Sequence, residues 1–199
     1  MAGALLEVRN LKVEFPGRRG TLLALDDVSF EISAGEILGV VGESGAGKSL
    51  TGAAIIGLLD PPGRIAAGEI RFDGRRIDNL PYEAMRKVRG RQIGAIFQDP
   101  LTSLNPLYTI GRQLMETIQA HLPISDADAR ARAIRLLEET GIQAAAQRID
   151  QYPHQFSGGM RQRVVIALAL SAEPRLIVAD EPTTALDVSI QAQIIQLLK

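Results

Sequence analysis

The chain has 199 residues, of which 46% are hydrophobic and 23% are charged, a composition typical of a globular protein with a buried core. Its 22 basic and 23 acidic residues leave a net charge of −1. No cationic excess is present to neutralise a nucleic-acid backbone, so a nucleic-acid partner is not expected. The absence of cysteine excludes disulfides, thiol catalysis and cysteine-ligated metals, and two histidines are too few for a histidine-rich metal site.

The first residues show no basic segment followed by an apolar one, which is the pattern of a secretion signal. Apolar runs such as residues 164–170 are far shorter than the ~20 residues that a membrane-spanning helix needs. We therefore expect a soluble, cytoplasmic protein.

Apolar and polar residues alternate in two segments near the N terminus, residues 6–15 and 28–32. This period of two is typical of strands with one solvent-facing side, and the glycine-containing residues 16–20 between them predict a turn. Residues 70–74 end in Asp-Gly and suggest a hairpin. We expect these segments to form a small antiparallel piece.

Other segments are continuously apolar. Residues 37–41 and 176–179 favour strands that are buried on both faces of a parallel sheet, and residues 93–97 predict another short apolar strand. Strands of this kind interleaved with helices predict an α/β fold with a mainly parallel core.

Helical segments lie between these strands. Ser125 is a suitable N-cap within the helical stretch 106–141, which Gly141 ends, and Ser157 begins a strongly apolar helix. The other predicted helices are residues 49–59 and 188–199.

Residues 42–49 read Gly-Glu-Ser-Gly-Ala-Gly-Lys-Ser and match the phosphate-binding P-loop, G-x-x-x-x-G-K-[ST]. Glycines let backbone N–H groups converge on phosphate oxygens, and the helix that begins there adds the positive end of its dipole. The motif assigns Lys48 to the β- and γ-phosphates and the Ser49 hydroxyl to Mg²⁺. A glycine-rich turn without nucleotide is the alternative, but the flanking apolar run and helix favour ATP binding. The residues expected to contact ATP are Gly42, Ser44, Gly45, Ala46, Gly47, Lys48, Ser49 and Leu50.

Two carboxylates, Asp180 and Glu181, follow the apolar run 176–179. The pattern resembles the second motif of NTPases, in which a strand delivers an aspartate to the Mg²⁺ shell. Glu181 could then polarise an attacking water as a general base. The alternative is a buried strand that meets a charged loop.

A third motif precedes these carboxylates. Residues 156–160, Phe-Ser-Gly-Gly-Met, resemble the signature motif of ABC ATPases, whose common form is Leu-Ser-Gly-Gly-Gln. The resemblance implies that Ser157, Gly158 and Gly159 face the γ-phosphate of ATP, and a helix N terminus with exposed N–H groups suits such an anion. The alternative is an ordinary N-cap, a position where serine is common.

The same resemblance assigns three further residues. Gln98, after the strand at 93–97, is similar to the Q-loop glutamine, which contacts Mg²⁺ or the lytic water. Asp187 ends an Ala-Leu-Asp segment that resembles the D-loop, which crosses the dimer interface in this family. Phe15 stands where the family has an aromatic residue that stacks on adenine, and the alternative for Phe15 is a core position on its strand.

Longer segments resemble one particular group within this family. Residues 97–106, 152–163 and 180–188 look like those of the ATP-binding subunits of dipeptide and oligopeptide importers, a group that includes nickel and glutathione importers. Met160 and the Thr183-Thr184 pair are similar to the first of the two ATPase subunits that such systems usually carry. The resemblance implies a subunit that binds and hydrolyses Mg-ATP to drive import.

The resemblance also implies a domain organisation and a set of partners. The chain would be one ABC nucleotide-binding domain on a P-loop NTPase core. Residues 1–99 and 161–199 would form the RecA-like core with the antiparallel piece, and residues 100–160 a helical subdomain. The partners would be a homologous ATPase subunit, transmembrane permeases and, indirectly, a solute-binding protein, at the cytoplasmic face of the cell membrane.

One departure from the family concerns a switch histidine on a further strand beyond the catalytic glutamate, because the sequence ends at Lys199 before such a strand. Neither His121 nor His154 can replace it, so both are expected to be structural or exposed. We therefore expect a C-terminally truncated chain with an incomplete sheet. Two alternatives to the importer ATPase stay open: a non-transport ABC ATPase, and a nucleotide-binding fragment without turnover.

Overall fold

The computed structural model describes residues 3–98, 102–182 and 191. The chain divides into an N-terminal unit, Met1–Arg86, and a C-terminal unit, Lys87–Lys199. The strands within the described residues are β1 (Leu6–Gly17), β2 (Gly20–Ile32), β3 (Arg64–Phe72), β4 (Arg75–Arg76), β5 (Ile93–Ile96) and β6 (Leu176–Ala179). The helices are α1 (Lys48–Ile55), α2 (Tyr82–Val88), α3 (Ile110–His121), α4 (Asp126–Glu139), α5 (Ala145–Arg148) and α6 (Gly158–Leu170), with a 3-10 turn at Pro153–Gln155.

An antiparallel sheet with the strand order β2-β1-β3-β4 lies in the N-terminal unit. β1 pairs with both β2 and β3, so Leu6 lies opposite Ile32 on one side and Phe72 on the other. Alternate residues of β1 are buried, as the period of two predicted. The predicted antiparallel piece is confirmed, although β2 begins at Gly20, well before the predicted residues 28–32.

An irregularity in β1 interrupts this alternation. Asn10 has a positive φ of +49°, and the pairing register with β2 shifts between Val8 and Leu11. The side chain of Asn10 donates from Nδ2 to Oδ1 of Asp27 at 2.7 Å, which ties the irregular residue to β2. This extra residue returns Leu11 to the buried side of the sheet.

A tight turn closes the hairpin between β3 and β4. Asp73 and Gly74 connect the strands with φ values of +51° and +75°. Positive φ at both central positions is the geometry of the type I′ turn, which Asp-Gly favours. The hairpin predicted over residues 70–74 is therefore confirmed.

Residues 37–41 differ from their prediction. The sequence predicted a strand buried on both faces, but no residue of this segment is in a strand, and Ile37, Val40 and Val41 are 59%, 54% and 93% exposed. A strand persists where neighbouring strands satisfy its backbone N–H and C=O groups. In the described part of the N-terminal unit, the sheet β2-β1-β3-β4 does not include residues 37–41. The prediction of a buried strand is wrong because, within that described part, this apolar run has no strand to pair with.

β5 and β6 form a parallel pair in the C-terminal unit, in which Ile93 lies opposite Leu176 and Ile96 opposite Ala179. Both strands fall where the apolar runs predicted them, with β5 one residue shorter. The prediction that β6 is buried on both faces is wrong, since Leu176 is buried but Ala179 is exposed. The reason is that, in the described part of the chain, β6 has a strand neighbour on one side only.

The core of the C-terminal unit lies among α3, α4, α6 and β5, where apolar side chains such as Ile96, Leu114, Leu137 and Ile166 are almost wholly buried. The helical stretch predicted over residues 106–141 is two helices, α3 and α4. Pro123 lies between them, and proline both lacks a backbone N–H and disfavours helix at the residue before it.

Each of these two helices begins at a side-chain cap. The hydroxyl of Thr109 accepts from the backbone N–H of Arg112 at 3.3 Å, and that of Ser125 accepts from Asp128 at 3.2 Å. The predicted N-cap at Ser125 is therefore confirmed. At the other end of α4, Gly141 follows the C-cap residue with a φ of +81°, the left-handed conformation that glycine adopts at helix ends.

Two arginines connect α4 and α6, and each bonds the C-terminal end of the other helix. Nε of Arg132 in α4 donates to the carbonyl of Ser171, at the end of α6, at 2.8 Å. Nη1 of Arg163 in α6 donates to the carbonyls of Thr140 and Gly141, at the end of α4, at 2.9 and 3.0 Å. The last carbonyls of a helix lack partners within the helix and favour a cation. The two helices therefore run in opposite directions and cap each other.

Of the remaining predicted helices, one is shorter than predicted and one lies almost wholly outside the described residues. α1 ends at Ile55, earlier than the predicted residues 49–59, because Gly57 turns the chain with a φ of +64°. The predicted helix 188–199 lies, apart from residue 191, outside the described residues. Among the helices that the structure describes, none combines the length and the apolar character needed to cross a bilayer.

Candidate functional site

Residues 42–47 form a largely exposed loop that leads directly into α1, whose first residues are Lys48 and Ser49. Gly45 and Gly47 have φ values of +83° and +88°, the left-handed region that glycine adopts without strain. A Cβ atom at Gly47 would also overlap Cδ2 of Leu25, whereas one at Gly45 would meet open space. The loop thus depends on glycine at Gly47 for two separate reasons.

The side chain of Lys48 folds back over this loop. Its Nζ donates to the backbone carbonyl of Gly42 at 2.8 Å and to that of Glu43 at 2.9 Å. An ammonium group has three donors, and these two carbonyls engage two of them. The arrangement concentrates positive charge over the loop, which suits an anion with several oxygens.

The start of α1 adds to this property. Gly47 is its N-cap and provides no side-chain hydrogen bond, whereas α3, α4 and α6 are capped by Thr109, Ser125 and Ser157. The first backbone N–H groups of α1 therefore have no side-chain cap within the described residues. Ser49 is exposed and Leu50 is half-buried in the first turn. The start of α1, with its uncapped N–H groups and the exposed Ser49, therefore suits a phosphate group.

Ser157 begins α6 in the way that the alternative interpretation predicted. Its Oγ accepts from the backbone N–H of Met160 at 3.3 Å, which is an N-cap hydrogen bond. Ser157 and Gly158 are nevertheless exposed, and a Cβ at Gly158 would meet nothing within 4 Å. The segment combines an ordinary cap with an accessible helix N terminus.

Gln98, Asp180 and Glu181 come together at the carboxyl ends of β5 and β6. Nε2 of Gln98 donates to Oε2 of Glu181 at 2.9 Å. The backbone N–H of Asp180 donates to the carbonyl of Ile96 at 2.9 Å, so the strand ladder continues to this residue. Asp180 is half-buried, while Gln98 and Glu181 are exposed. A carboxylate held by a neutral donor at an accessible edge can accept a proton from water.

Oxygen donors are available for a hard cation. The residues predicted to bind Mg²⁺ are Ser49, Gln98 and Asp180, and Mg²⁺ prefers oxygen ligands, one or two carboxylates and substrate phosphates. In the described residues, no group of three or more His, Cys, Asp or Glu side chains could hold a metal by itself. Taken one by one, these oxygen donors are of the kind that Mg²⁺ accepts beside a phosphate, and their joint role stays a prediction.

The roles of two predicted site residues, Phe15 and Asp187, stay predictions. Phe15 is half-buried near the end of β1, and a Cβ at Gly63 would lie 2.6 Å from its Cε1, so the ring packs closely on this glycine. Its role in adenine stacking stays a prediction. Asp187 lies outside the described residues, as do Thr183 and Thr184.

Sequence reasoning did not assign Gln162 to the site. This residue lies in the second turn of α6 with 2% of its surface exposed, and its Nε2 donates to the carbonyl of Pro182 at 2.7 Å. The available signal was a glutamine next to the apolar run 164–170, where a buried carboxamide needs a hydrogen-bond partner. The sequence could not say which partner that would be.

The two histidines are structural or exposed, as expected. His121 is half-buried, and a Cβ at Gly90 would overlap its ring. Burial, with a smaller contribution from the charge of Arg91, lowers the pKa of His121. His154 is exposed and stacks on Tyr152 with ring centroids 5.7 Å apart.

Comparison with known proteins gives consistent results. Residues 25–184 match the family described as ABC transporter. The oligopeptide transport ATP-binding protein OppD of Bacillus subtilis (strain 168) is 52% identical over 196 residues, which are 98% of this chain and 55% of that protein. The dipeptide transport ATP-binding protein DppD of Escherichia coli (strain K12) is 50% identical over 195 residues, which are 98% of this chain and 60% of that protein. The chain thus spans little more than half the length of these curated relatives.

The chain is also similar to a solved structure. It is the dimeric post-hydrolysis state of the ATP-binding cassette MJ0796 bound to ADP and Pi, with a TM-score of 0.87 and 30% sequence identity. The match covers 97% of this chain and 81% of that chain. The predicted α/β fold, with an N-terminal antiparallel sheet, parallel strands and helices, agrees with this likeness.

Proposed function

This chain belongs to the ABC transporter family, and we propose that it is an ATP-binding and ATP-hydrolysing subunit that powers import through a membrane transporter. The observation that carries the proposal is the P-loop geometry. Lys48 lies across an exposed glycine loop, in front of a helix whose first N–H groups lack a side-chain cap among the described residues. The names of the OppD and DppD relatives support peptides as the imported solute, with nickel or glutathione-like solutes as the alternative within the same group.

In this proposal, ATP is held mainly through its phosphates. Backbone N–H groups of residues 42–49 donate to phosphate oxygens. Lys48 exchanges its two carbonyl partners for oxygens of the β- and γ-phosphates, since a hydrogen bond between two charged groups is stronger than one to a neutral carbonyl. Phe15 stacks on the adenine ring.

Hydrolysis needs a base and an oriented water. Glu181 accepts a proton from the attacking water, and Gln98 holds one carboxylate oxygen so that the other faces this water. Mg²⁺, held by Ser49, Gln98 and Asp180 together with phosphate oxygens, would neutralise charge on the phosphates.

Two such subunits complete each other's ATP site. Ser157, Gly158 and Gly159 of one subunit face the γ-phosphate that the other subunit binds, and Asp187 lies at the interface. The dimeric state of the MJ0796 cassette supports this arrangement. The partner is a second copy or a related ATPase, bound to permease subunits at the cytoplasmic face of the membrane, with a solute-binding protein acting indirectly and no nucleic acid involved.

Calorimetry with Mg-ATP and the full-length protein tests the binding step. Lys48→Ala should abolish the binding heat, because it removes the charge that the loop holds over the phosphates. Equal affinity in the variant and the parent would contradict the proposal. Arg135→Met is a suitable control, since Arg135 is an exposed residue of α4 that the proposal does not assign to the ATP site.

A phosphate-release assay tests turnover. Glu181→Gln should keep ATP binding and lower the rate of hydrolysis by about 10²- to 10⁴-fold, the usual contribution of a general base. Binding without phosphate release in the unaltered protein would instead indicate a nucleotide-binding module. Co-purification with permease subunits, and peptide uptake that Lys48→Ala abolishes, would separate an importer from a non-transport ABC ATPase.

A further inference from the structure

Gln162 is a buried polar residue with a distant partner. Thr140, equally buried at 2% exposure, donates from its hydroxyl to carbonyls of its own helix at 2.9 and 3.1 Å. The carboxamide of Gln162 instead donates to Pro182, 20 residues along the chain, at 2.7 Å. Burying a carboxamide is costly unless such a bond forms, so this contact fixes the side chain and the carbonyl that it reaches.

The residue before that carbonyl has an unusual backbone. Glu181 has a φ of +47°, in the left-handed region that L-residues seldom adopt. The proline that follows it adds a second restriction, because proline favours extended backbone at the preceding residue. Such a conformation persists only where the surrounding structure holds it.

Contacts on both sides hold this conformation. On one side, the N–H of Asp180 donates to the carbonyl of Ile96 in β5. On the other side, Gln162 holds the carbonyl of Pro182. Without the second contact, the chain could relax toward extended backbone, and the carboxylate of Glu181 would turn away from Gln98.

We propose that Gln162 is a positioning residue that holds Glu181 in its proton-accepting geometry through the carbonyl of Pro182. This inference rests on the proposed function, because it concerns the same general base. It also links two parts of that site. Gln162 lies in α6, the helix that Ser157 begins, so the segment proposed to face the partner's ATP and the segment that carries the base are tied to one helix.

Steady-state hydrolysis by the full-length protein tests the proposal. Gln162→Met removes the donor and nearly conserves the side-chain volume. We expect kcat to fall by about 10- to 100-fold, the scale of a misplaced catalytic group. We expect KM and the calorimetric affinity for ATP to change by less than about two-fold, because ground-state binding does not use Glu181.

A double variant supplies a readout that a structural role would not change. In the Glu181→Gln background the positioned base is already absent, so adding Gln162→Met should lower the residual turnover by less than about two-fold. If the two losses multiply instead, Gln162 acts independently of Glu181 and the proposal is overturned. Thr140→Val is the matched control, because it removes an equally buried hydrogen bond to a carbonyl and should leave kcat unchanged.

The outcomes separate this inference from the proposed function. If the unaltered protein hydrolyses ATP and Glu181→Gln stops it, while Gln162→Met keeps the parent kcat, the positioning role is refuted and the proposed function stands. If the unaltered protein shows no hydrolysis, both fail.

Gln162→Glu, which also lacks the N–H donor, serves as a second variant. If neither variant at residue 162 folds by circular dichroism while Thr140→Val does, Gln162 has a role in stability and the proposal is overturned.

Discussion

Gln98 and Glu181 are 83 residues apart in the chain, yet Nε2 of the first donates to Oε2 of the second at 2.9 Å. The parallel pairing of β5 with β6 causes this contact, because it brings the carboxyl ends of both strands to the same edge. The contact joins two residues that the sequence analysis assigned to catalysis through separate motifs. It also makes the charge at position 98 a sensitive probe of the proposed base.

Gln98→Glu should move the acidic limb of the pH–rate profile to higher pH. The change replaces a neutral donor by a second carboxylate at about the same distance from Glu181. Two carboxylates at such a short distance share a proton, and they keep it to a higher pH than a single carboxylate does. The base is then available only at higher pH. The measurement is the rate of phosphate release by the full-length protein as a function of pH.

Gln98→Met is the uncharged control for this experiment. It removes the hydrogen bond without adding a charge, so kcat should fall by about 10-fold while the acidic limb stays in place. A limb at the same pH in Gln98→Glu and in the parent protein would contradict the contact between residues 98 and 181.

Gly47→Ala should destabilise the protein more than Gly45→Ala. Both residues have positive φ, but a Cβ at Gly47 would also overlap the buried Leu25 side chain, whereas one at Gly45 meets open space. We expect the free energy of unfolding to fall by about 1–2 kcal/mol for Gly45→Ala and by about 2–3 kcal/mol for Gly47→Ala. Urea denaturation of the full-length proteins measures both.

If the overlap with Leu25 causes the difference between Gly47→Ala and Gly45→Ala, a smaller side chain at position 25 should remove that difference. In a Leu25→Ala protein, the new methyl group at position 47 has room, so the two glycine variants should cost the same. A difference that persists in this background would show that backbone strain alone sets the cost.

The sequence predicted best those features that local chemistry determines. Ser125 and Ser157 are caps because a serine hydroxyl bonds N–H groups three residues along, and the Asp73-Gly74 turn follows from its residue types. The apolar run at residues 37–41 was misjudged because apolar character indicates what a strand would bury and not which strand it pairs with.

The candidate site shows the same division. The P-loop is contiguous, so its pattern specifies both its glycines and the lysine that folds over them. The contact from Gln162 to Pro182 joins a helix to a loop 20 residues away. Periodicity predicts that a residue is buried, but a hydrogen bond of this kind depends on how the elements pack, which requires the folded structure.

Arg163→Met should lower the free energy of unfolding by about 1–2 kcal/mol. The arginine donates to the carbonyls of Thr140 and Gly141, and these groups at the end of α4 would be left without this cation. Arg135→Met, an exposed change on α4, should have little effect and serves as the control. Thermal unfolding of the full-length proteins makes the comparison, and equal transition temperatures for the two variants would contradict the capping role.

His121 should make the protein less stable as the pH falls. Burial, with a smaller contribution from Arg91, lowers the pKa of His121 below its ordinary value of 6.5. Below about pH 6.5 the unfolded chain therefore binds a proton that the folded protein rejects, and the free energy of unfolding decreases until the folded pKa is passed. His121→Gln should flatten this decrease between about pH 7 and pH 5, measured by urea denaturation at each pH. His154→Gln, at an exposed position, should keep the slope of the parent, and a parent-like slope in His121→Gln would refute the assignment.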